Sequence, residues 1–273
     1  MTDVFHPAKG PLPKSGPFFI GILNITPDSF SDGGRFSSPE SALRQARKLV
    51  AAGAGMLDLG AESTRPGAAA VSPEVEWARL APVVAMLRAE LRDIPLSLDT
   101  RHAAVAAKGL AAGVALLNDV TGFSDPGMLG LAMDTECGLI AMRSRMKGGS
   151  FWMPDYSDPA LLGAELALIE MRGLQERLLG AGIAAERVLL DPGFGFGTTF
   201  VEDTALWNLL PQLQVLLSWP SDRFCIGISR KRFLAWRNGT PELPSTGRDD
   251  LTSAAHREAE VMGFRVFRTH ELG

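Results

Sequence analysis

The sequence predicts an α/β fold of the (β/α)8 (TIM) barrel class. Eight short apolar segments alternate along the chain with helix-length segments rich in Ala, Leu, Glu and Arg. The short segments are apolar at nearly every position, which is typical of parallel strands covered on both faces. The length of 273 residues suits one barrel, which typically needs about 250 residues. An open doubly wound sheet is the weaker alternative, because no Gly-x-Gly-x-x-Gly follows the first segment.

The strands are predicted where apolar runs end in polar, charged or glycine-rich residues. In chain order they cover residues 18–25, 56–60, 95–99, 114–118, 138–142, 187–191, 224–228 and 264–268. A helical segment separates each strand from the next, so neighbouring strands run parallel. Eight such repeats favour closure into a barrel.

The helices between the strands carry recognisable start and stop signals. Predicted helices include residues 39–52, 72–91, 102–112 and 160–179. Ser38 and Ser72 each precede a proline, which is the pattern of an N-cap followed by Pro at the first helical position. Ala-Gly pairs ending at Gly53, Gly113 and Gly182 predict helix ends that lead into the next strand.

The domain organisation follows from the two ends of the chain. Residues 1–16 contain three prolines and show no period, which predicts a loose N-terminal leader. Residues 17–273 then form one barrel domain. Only five residues, Thr269 to Gly273, follow the eighth strand. We therefore expect the eighth outer helix to be missing or truncated at the C-terminus.

Composition excludes several classes of function. The chain is 46% hydrophobic and 21% charged, an ordinary globular composition. Its net charge of -4 argues against non-specific nucleic-acid binding. No run of 18 apolar residues and no signal sequence appears, which predicts a cytoplasmic protein without a membrane partner. Cys137 and Cys225 lie in or beside apolar runs, which favours buried, reduced thiols.

A first group of polar residues stands at strand ends, which meet at one rim of a barrel. Asp99, Asn118 and Asp191 end three strands, and Lys231 follows a fourth. Two carboxylates, an amide and an ammonium suit a heterocycle such as a pterin or a guanine-like ring. For either aspartate alone, helix capping or pairing with an arginine is the better explanation. The set at several strand ends favours a binding site.

A second group places positive charge at the same rim. Arg65, Arg268 and His270, with Asn24, predict a site for a phosphate or diphosphate, with Mg²⁺. A lone arginine is usually a solvated side chain, but Arg65 stands in a Ser-Thr-Arg-Pro-Gly turn. His270 fits a phosphate contact and a surface position equally well. Phe30, in the loop after the first strand, could close over a ring substrate.

These residues carry a resemblance that extends from Phe18 to His270. The chain resembles the dihydropteroate synthase family of the pterin-binding barrel superfamily. The two most specific segments are Gly-Ile-Leu-Asn-Ile-Thr-Pro-Asp-Ser-Phe-Ser-Asp-Gly-Gly at 21–34 and Gly-Ala-Glu-Ser-Thr-Arg-Pro-Gly at 60–67. Further matches lie at 97–100, 117–119, 190–197, 229–231 and 268–270.

The resemblance implies that the chain condenses 6-hydroxymethyl-7,8-dihydropterin diphosphate with 4-aminobenzoate. It implies three groups of site residues. The pterin group comprises Asp99, Asn118, Asp191, Lys231 and Met142; the diphosphate group Asn24, Arg65, Arg268 and His270, with Asn24 on Mg²⁺; and the aminobenzoate group Thr64, Pro66, Ser229 and Phe30. Among these, the catalytic residues implied are Asp99, Lys231 and Arg268. A homodimer is the partner that the resemblance implies.

The chain departs from the family pattern at three places. The fifth strand ends Met142-Arg143, where the family usually has Met-His. Thr198 follows Gly197, where many relatives carry Lys, and the eighth helix is expected to be missing or truncated. Two other interpretations stay open at this point. One is a methyltetrahydrofolate-dependent corrinoid methyltransferase, which would not need the Thr-Pro-Asp-Ser-Phe segment. The other is a catalytically silent pterin-binding paralogue.

Overall fold

The computed structural model describes residues 16–26, 38–63, 70–147, 150–151 and 163–272. Its strands are β1 Phe18–Asn24, β2 Ala54–Gly60, β3 Leu96–Asp99, β4 Leu116–Asp119, β5 Gly138–Met142, β6 Met146–Lys147, β7 Ser150–Phe151, β8 Val188–Asp191, β9 Cys225–Ile226 and β10 Val266–Thr269. Its helices are α1 Pro39–Ala51, α2 Pro73–Glu90, α3 Ala103–Ala111, α4 Pro126–Asp134, α5 Glu165–Gly180, α6 Phe200–Leu216, α7 Arg232–Arg237 and α8 Asp249–Val261.

Eight of these strands form the predicted parallel barrel. Neighbours follow the order β8-β5-β4-β3-β2-β1-β10-β9, and every pairing is parallel. A parallel bridge between Leu190 in β8 and Phe224, just before β9, joins the two ends of the sheet. The fold class predicted from the sequence is therefore confirmed, with each strand shifted by at most two residues at either end.

The helix starts predicted at Ser38 and Ser72 are confirmed at atomic level. The Ser38 hydroxyl accepts from the Ser41 backbone N–H, and the Ser72 hydroxyl accepts from that of Val75. These bonds satisfy donors that a helix N-terminus otherwise leaves without a partner. Gly53, which follows α1, has a φ of 108°, a left-handed conformation that favours glycine.

Two connections differ from a regular alternation of strand and helix. An antiparallel hairpin, β6 with β7, follows β5 directly, and its two-residue strands are too short to produce a hydrophobic period. Both α7 and α8 lie in the connection from β9 to β10. No helix follows β10 among the described residues, which end at Leu272.

The barrel has two apolar layers. One packs the outer faces of the strands against the helices and includes Leu57, Leu98 and Leu117. The other fills the barrel interior and consists of Phe18, Ile20, Met56, Leu116, Ile140, Leu189, Cys225 and Val266. Side chains alternate between the two faces of a strand. Residues two positions after an interior residue therefore also point inward, one layer nearer the carboxyl ends of the strands.

Two smaller expectations can be compared with the structure, and a third lies outside it. Cys137 and Cys225 are both buried and free, as predicted. No helix in the described part of the chain is long and apolar enough to span a membrane. Residues 1–15 lie outside the described residues, so the loose leader stays a prediction.

His256 on α8 is a buried titratable group in the apolar layer behind β1 and β10. It is 7% exposed, and its ring centroid lies 4.8 Å from that of Phe267 and 5.9 Å from that of Phe19. Its Nε2 has no hydrogen-bond partner in the described structure. Burial lowers the pKa of His256 to about 4, so the imidazole is neutral in the folded protein near pH 7.

We expect His256 to make folding stability depend on pH. Its folded pKa lies below the value of about 6.5 in an unfolded chain, so the unfolded chain binds the proton first as the pH falls. The wild type should lose about 1 kcal/mol more stability between about pH 7.5 and about 5.5 than His256→Gln does. Urea unfolding at both pH values measures this difference. Equal losses in the two proteins would contradict the assignment.

Candidate active site

A polar layer lies directly above the apolar interior of the barrel. Its members stand two residues after interior residues on their strands, so they point into the same space. They are Asp58, Asn118, Met142, Asp191 and Arg268. Asp99 on β3 joins them, since its register partner on β4 is Asn118. Residues scattered over 210 positions of sequence thus meet at the carboxyl-terminal mouth.

Arg268 lies at the centre of this layer, between two carboxylates. Its Nε donates to Asp58 Oδ2 at 2.6 Å, and its Nη2 donates to Asp99 Oδ2 at 2.6 Å. Asn118 Nδ2 also donates to Asp58 Oδ2, at 2.9 Å. Asp58 is fully buried, and a buried carboxylate without such partners would cost several kcal/mol. Asp58 therefore holds both the guanidinium and the Asn118 amide in fixed orientations.

Asp99 is the acidic group of this cluster that reaches the mouth, and 16% of its side chain is exposed. Burial raises the pKa of Asp99 to about 7, with the Asp58 carboxylate adding to the effect and Arg268 opposing it. The carboxyl group of Asp99 therefore changes charge near neutral pH.

Asp191 and Lys231 form the opposite wall. Asp191 is 3% exposed, and its Oδ1 accepts from the Gly193 backbone N–H at 2.8 Å. Burial raises the pKa of Asp191, and the positive charges of Lys231 and Arg268 oppose that shift. The Lys231 ammonium lies 3.6 Å from the ring centroid of Phe196. Burial lowers the pKa of Lys231 to about 8, against the attraction of Asp191.

Glycine at position 227 leaves room for the Asp191 carboxylate, whereas a side chain at Gly60 would make only an ordinary contact with Asp99. A Cβ on Gly227 would lie 2.7 Å from Asp191 Oδ2, and a Cβ on Gly60 would lie 3.4 Å from the Cβ of Asp99. The first distance is too short for any side chain without displacement of Asp191. The carboxylate of Asp191 therefore occupies space that the absence of a side chain at position 227 provides.

His270 and Ser229 join the ends of β10 and the segment after β9. The Ser229 Oγ accepts from the His270 backbone N–H at 3.1 Å and lies 3.0 Å from Nδ1 of its ring. Burial lowers the pKa of His270 to about 3, and the charge of Arg268 adds to this effect. A neutral imidazole keeps one N–H donor, so His270 offers a hydrogen bond rather than a charge.

The remaining predicted residues divide into two groups. Asn24 is half-buried at the end of β1, and its register partner Gly60 is in turn paired with Asp99. Phe30, Thr64, Arg65 and Pro66 lie outside the described residues, so their assignments stay predictions.

Sequence reasoning missed two acidic residues that shape the site. Asp58 is a single charge inside the apolar run of β2, and that interruption is the signal that could have identified it. Asp203 lies in the first turn of α6, where its Oδ1 accepts from the Gly195 backbone N–H at 3.2 Å. Burial raises the pKa of Asp203 to about 6. Its sequence position resembles an ordinary N-terminal helix charge and carries no such signal.

The donor set near Asn24 limits how a metal could bind. The described part of the chain contains no cluster of three acidic, histidine or cysteine side chains that could form a metal cage. A single amide oxygen beside a phosphorylated substrate fits Mg²⁺, which usually binds through few protein ligands plus substrate phosphates and water.

Comparisons with known proteins agree with this geometry. A family model described as "Pterin binding enzyme" matches residues 20–270. The dihydropteroate synthase of Neisseria meningitidis serogroup C is 37% identical over 94% of this chain and 88% of its own length. The chain belongs to the dihydropteroate synthase family. It is an enzyme of the transferase class, and the family resemblance of its motifs is confirmed.

Solved structures of the dihydropteroate synthase family superpose on the whole barrel. The Xanthomonas albilineans dihydropteroate synthase with 4-aminobenzoic acid has a TM-score of 0.80 and 36% identity, covering 94% of this chain and 88% of that one. The same enzyme in complex with 7,8-dihydropteroate has a TM-score of 0.78 and 34% identity, covering 96% and 90%.

We expect Gly227→Ala to weaken pterin binding at least tenfold, by about 1.4 kcal/mol. The new methyl group must displace the Asp191 carboxylate. Gly130→Ala is the matched control, because a Cβ on Gly130 in α4 meets no atom within 4 Å. Calorimetric titration with a pterin measures both affinities. An unchanged affinity in Gly227→Ala would remove Asp191 from the pterin site.

Proposed function

We propose that this enzyme condenses 6-hydroxymethyl-7,8-dihydropterin diphosphate with 4-aminobenzoate, giving 7,8-dihydropteroate and diphosphate for folate synthesis. One observation carries the proposal. The mixed polar layer at the barrel mouth lies in a chain that superposes, over 94% of its length, on a dihydropteroate synthase holding 4-aminobenzoic acid. A layer that pairs carboxylates with an amide, an ammonium and a guanidinium suits a pterin ring and an anionic leaving group together.

The pterin ring would lie between the cluster of Arg268, Asp58 and Asp99 on one side and the wall formed by Asp191 and Lys231 on the other. Asn118 donates its amide N–H to Asp58, which leaves its carbonyl oxygen as an acceptor for a ring N–H or amino group. Asp191 uses Oδ1 to accept from Gly193, and Oδ2 can accept from the ring. The Lys231 ammonium supplies a donor for the pterin carbonyl. Met142, the register partner of Asp191 on β5, provides an apolar surface.

The diphosphate would lie beside β1 and β10. His270 provides a neutral N–H donor, Asn24 an amide, and Arg65 a guanidinium from the loop after β2. Arg268 reaches this side while bound to Asp58 and Asp99. We propose that Asn24 holds Mg²⁺ together with diphosphate oxygens, and the ion would supply charge stabilisation for the leaving group.

The reaction requires no protein nucleophile. The bond between the exocyclic methylene carbon and the diphosphate oxygen breaks, and the electron-rich dihydropterin carries the resulting positive charge. The amine nitrogen of 4-aminobenzoate then forms the new bond to that carbon and releases a proton. Asp99 in its ionised form stabilises the cation electrostatically, in a site whose fixed charges need no reorganisation. Arg268 holds the Asp99 carboxylate in place.

The aminobenzoate site would be built from Ser229, Thr64, Pro66 and Phe30. Ser229 is 6% exposed and hydrogen-bonded to His270, so it joins this site to the diphosphate side. Exclusion of water by the adjoining loops would protect the cation from capture. A homodimer and a cytoplasmic location, both predicted from the sequence, stay predictions.

We expect Asp99→Asn to lower kcat about 100-fold or more, because an amide cannot offset the cation. A coupled assay of diphosphate release measures kcat, and urea unfolding shows whether the fold is retained. Full activity in a folded Asp99→Asn protein would contradict the assigned role. Diphosphate release by the wild type on mixing both substrates also excludes the methyltransferase and the silent paralogue.

The pKa values of Asp99 and Lys231 predict a narrow pH optimum. Below about pH 7 the Asp99 carboxyl takes up a proton, and above about pH 8 the Lys231 ammonium loses one. The value of kcat/KM for the pterin substrate should therefore fall about tenfold per pH unit on either side. Lys231→Arg keeps its charge at high pH, so the alkaline fall should disappear in that variant. If the alkaline fall in kcat/KM persists in Lys231→Arg, a titrating group other than Lys231 causes it.

A further inference from the structure

Arg143 follows β5 and reaches across to the loop after β8. Its side chain is 1% exposed. Its Nε donates to the Pro192 carbonyl at 2.7 Å, and its Nη2 donates to the Gly193 carbonyl at 3.4 Å. Its backbone N–H donates to the Asp191 carbonyl at 3.0 Å. One residue therefore contacts three consecutive carbonyl groups of the segment that carries Asp191.

Two glutamates hold the Arg143 guanidinium from behind. Its Nη1 donates to Glu170 Oε2 at 3.0 Å and lies 3.8 Å from Glu202 Oε1. Arg145 forms a two-bond pair with each of these glutamates and donates to the Gly197 carbonyl at 3.0 Å. Two positive and two negative charges balance, so the arginines are fixed without a net buried charge.

The glycine loop, residues 192–197, lies against this pair of arginines and leaves no space there for a side chain at Gly193 or Gly197. Gly193 has a φ of 70°, and a Cβ there would overlap the Arg143 carbonyl oxygen. A Cβ on Gly197 would lie 2.6 Å from the Cβ of Arg145. Because interiors are close-packed, such contact lets the two arginines determine where the loop lies.

The glycine loop in turn orients Asp191 and Lys231, the two residues of the second wall of the site. The Gly193 N–H donates to Asp191 Oδ1 at 2.8 Å, and the Phe196 ring lies 3.6 Å from the Lys231 ammonium. Movement of the loop would rotate the carboxylate and remove the aromatic face from the ammonium together. The hydrogen bonds described for the Arg143 side chain go to this loop and to Glu170 on α5, so the loop is its hydrogen-bonded link to the site.

We propose that Arg143 is a positioning residue, which fixes Asp191 and Lys231 through the glycine loop and so determines affinity for the pterin substrate. The proposal rests on the proposed function. It is specific in one respect: a loss of Arg143 should affect the pterin and leave 4-aminobenzoate unaffected. Among the residues predicted to bind 4-aminobenzoate, Ser229 is hydrogen-bonded to Thr269 and His270 and not to the glycine loop.

Arg187 is a matched control at the other end of β8. It is 6% exposed, and it also donates through Nε and Nη2 to two backbone carbonyls, those of Cys137 at 3.0 Å and Ala132 at 2.8 Å. It precedes β8 at the amino end, away from the mouth. Arg187→Met removes the same kind of buried contact without touching the glycine loop.

The experiment compares Arg143→Met, Arg143→Lys and Arg187→Met. We expect Arg143→Met to raise both the KM for the pterin diphosphate and the calorimetric Kd for 7,8-dihydropteroate at least tenfold, with the KM for 4-aminobenzoate changed less than twofold. Arg143→Lys keeps one donor group, so its pterin KM should rise at least threefold and less than in Arg143→Met. Arg187→Met should lose comparable stability in urea and keep both KM values.

Two outcomes would overturn the proposal. One is a pterin KM in both Arg143 variants within twofold of the wild type. The other is an equal rise in the KM values for the pterin diphosphate and 4-aminobenzoate. If Arg143→Met does not fold, Arg143→Lys decides by the same criteria. Failure of the proposed function is recognised separately, since the wild type itself would then release no diphosphate.

Discussion

The ion-paired guanidinium of Arg268 is the contact on which the site depends. It lies between Asp58 and Asp99 at 2.6 Å from each, and without it two carboxylates would face one another in a largely dehydrated layer. The desolvation cost of such a pair is several kcal/mol per ion. The charged layer is therefore stable inside the barrel only because the Arg268 guanidinium and the two carboxylates, which come from different strands, lie at the same level along the barrel axis. The Asn118 amide completes this layer by donating to Asp58.

The alternation of side chains between the two faces of each strand explains why these groups lie in one layer. Interior positions alternate along each strand, and the lower interior layer consists of apolar residues such as Met56 and Leu116. The next interior layer contains Asp58, Asn118 and Arg268. Apolar packing below thus supports polar chemistry above, and the change from one layer to the other occurs within two residues on each strand.

The central cluster and the wall formed by Asp191 and Lys231 are held in place by different kinds of contact. The central cluster is held by partners on neighbouring strands, whereas Asp191 and Lys231 depend on the glycine loop and on Arg143 behind it. Glycine at position 193 permits the glycine loop to approach the Arg143 carbonyl oxygen more closely than any residue with a Cβ would allow. The second wall is therefore held by backbone contacts, and we expect it to respond to changes at Arg143, which lies behind the glycine loop.

Much of this protein could be predicted from local sequence. The alternation of apolar and helical segments, the caps at Ser38 and Ser72, and the polar residues at strand ends all depend on neighbours within a few positions. Those polar residues could be grouped into one site because parallel strands bring their carboxyl ends together. The two-residue strands of the β6–β7 hairpin could not be predicted, since they are too short to show a period. Local pattern was therefore sufficient for the barrel, its approximate strand limits and the rim that carries the chemistry.

The choice of charge partners depended on the folded chain and could not be predicted. Arg268 pairs with Asp58, 210 positions away, and Arg145 pairs with Glu202, 57 positions away. Ion pairing depends on distance and burial in space. The sequence around an arginine does not show which distant strand or helix supplies its carboxylate partner.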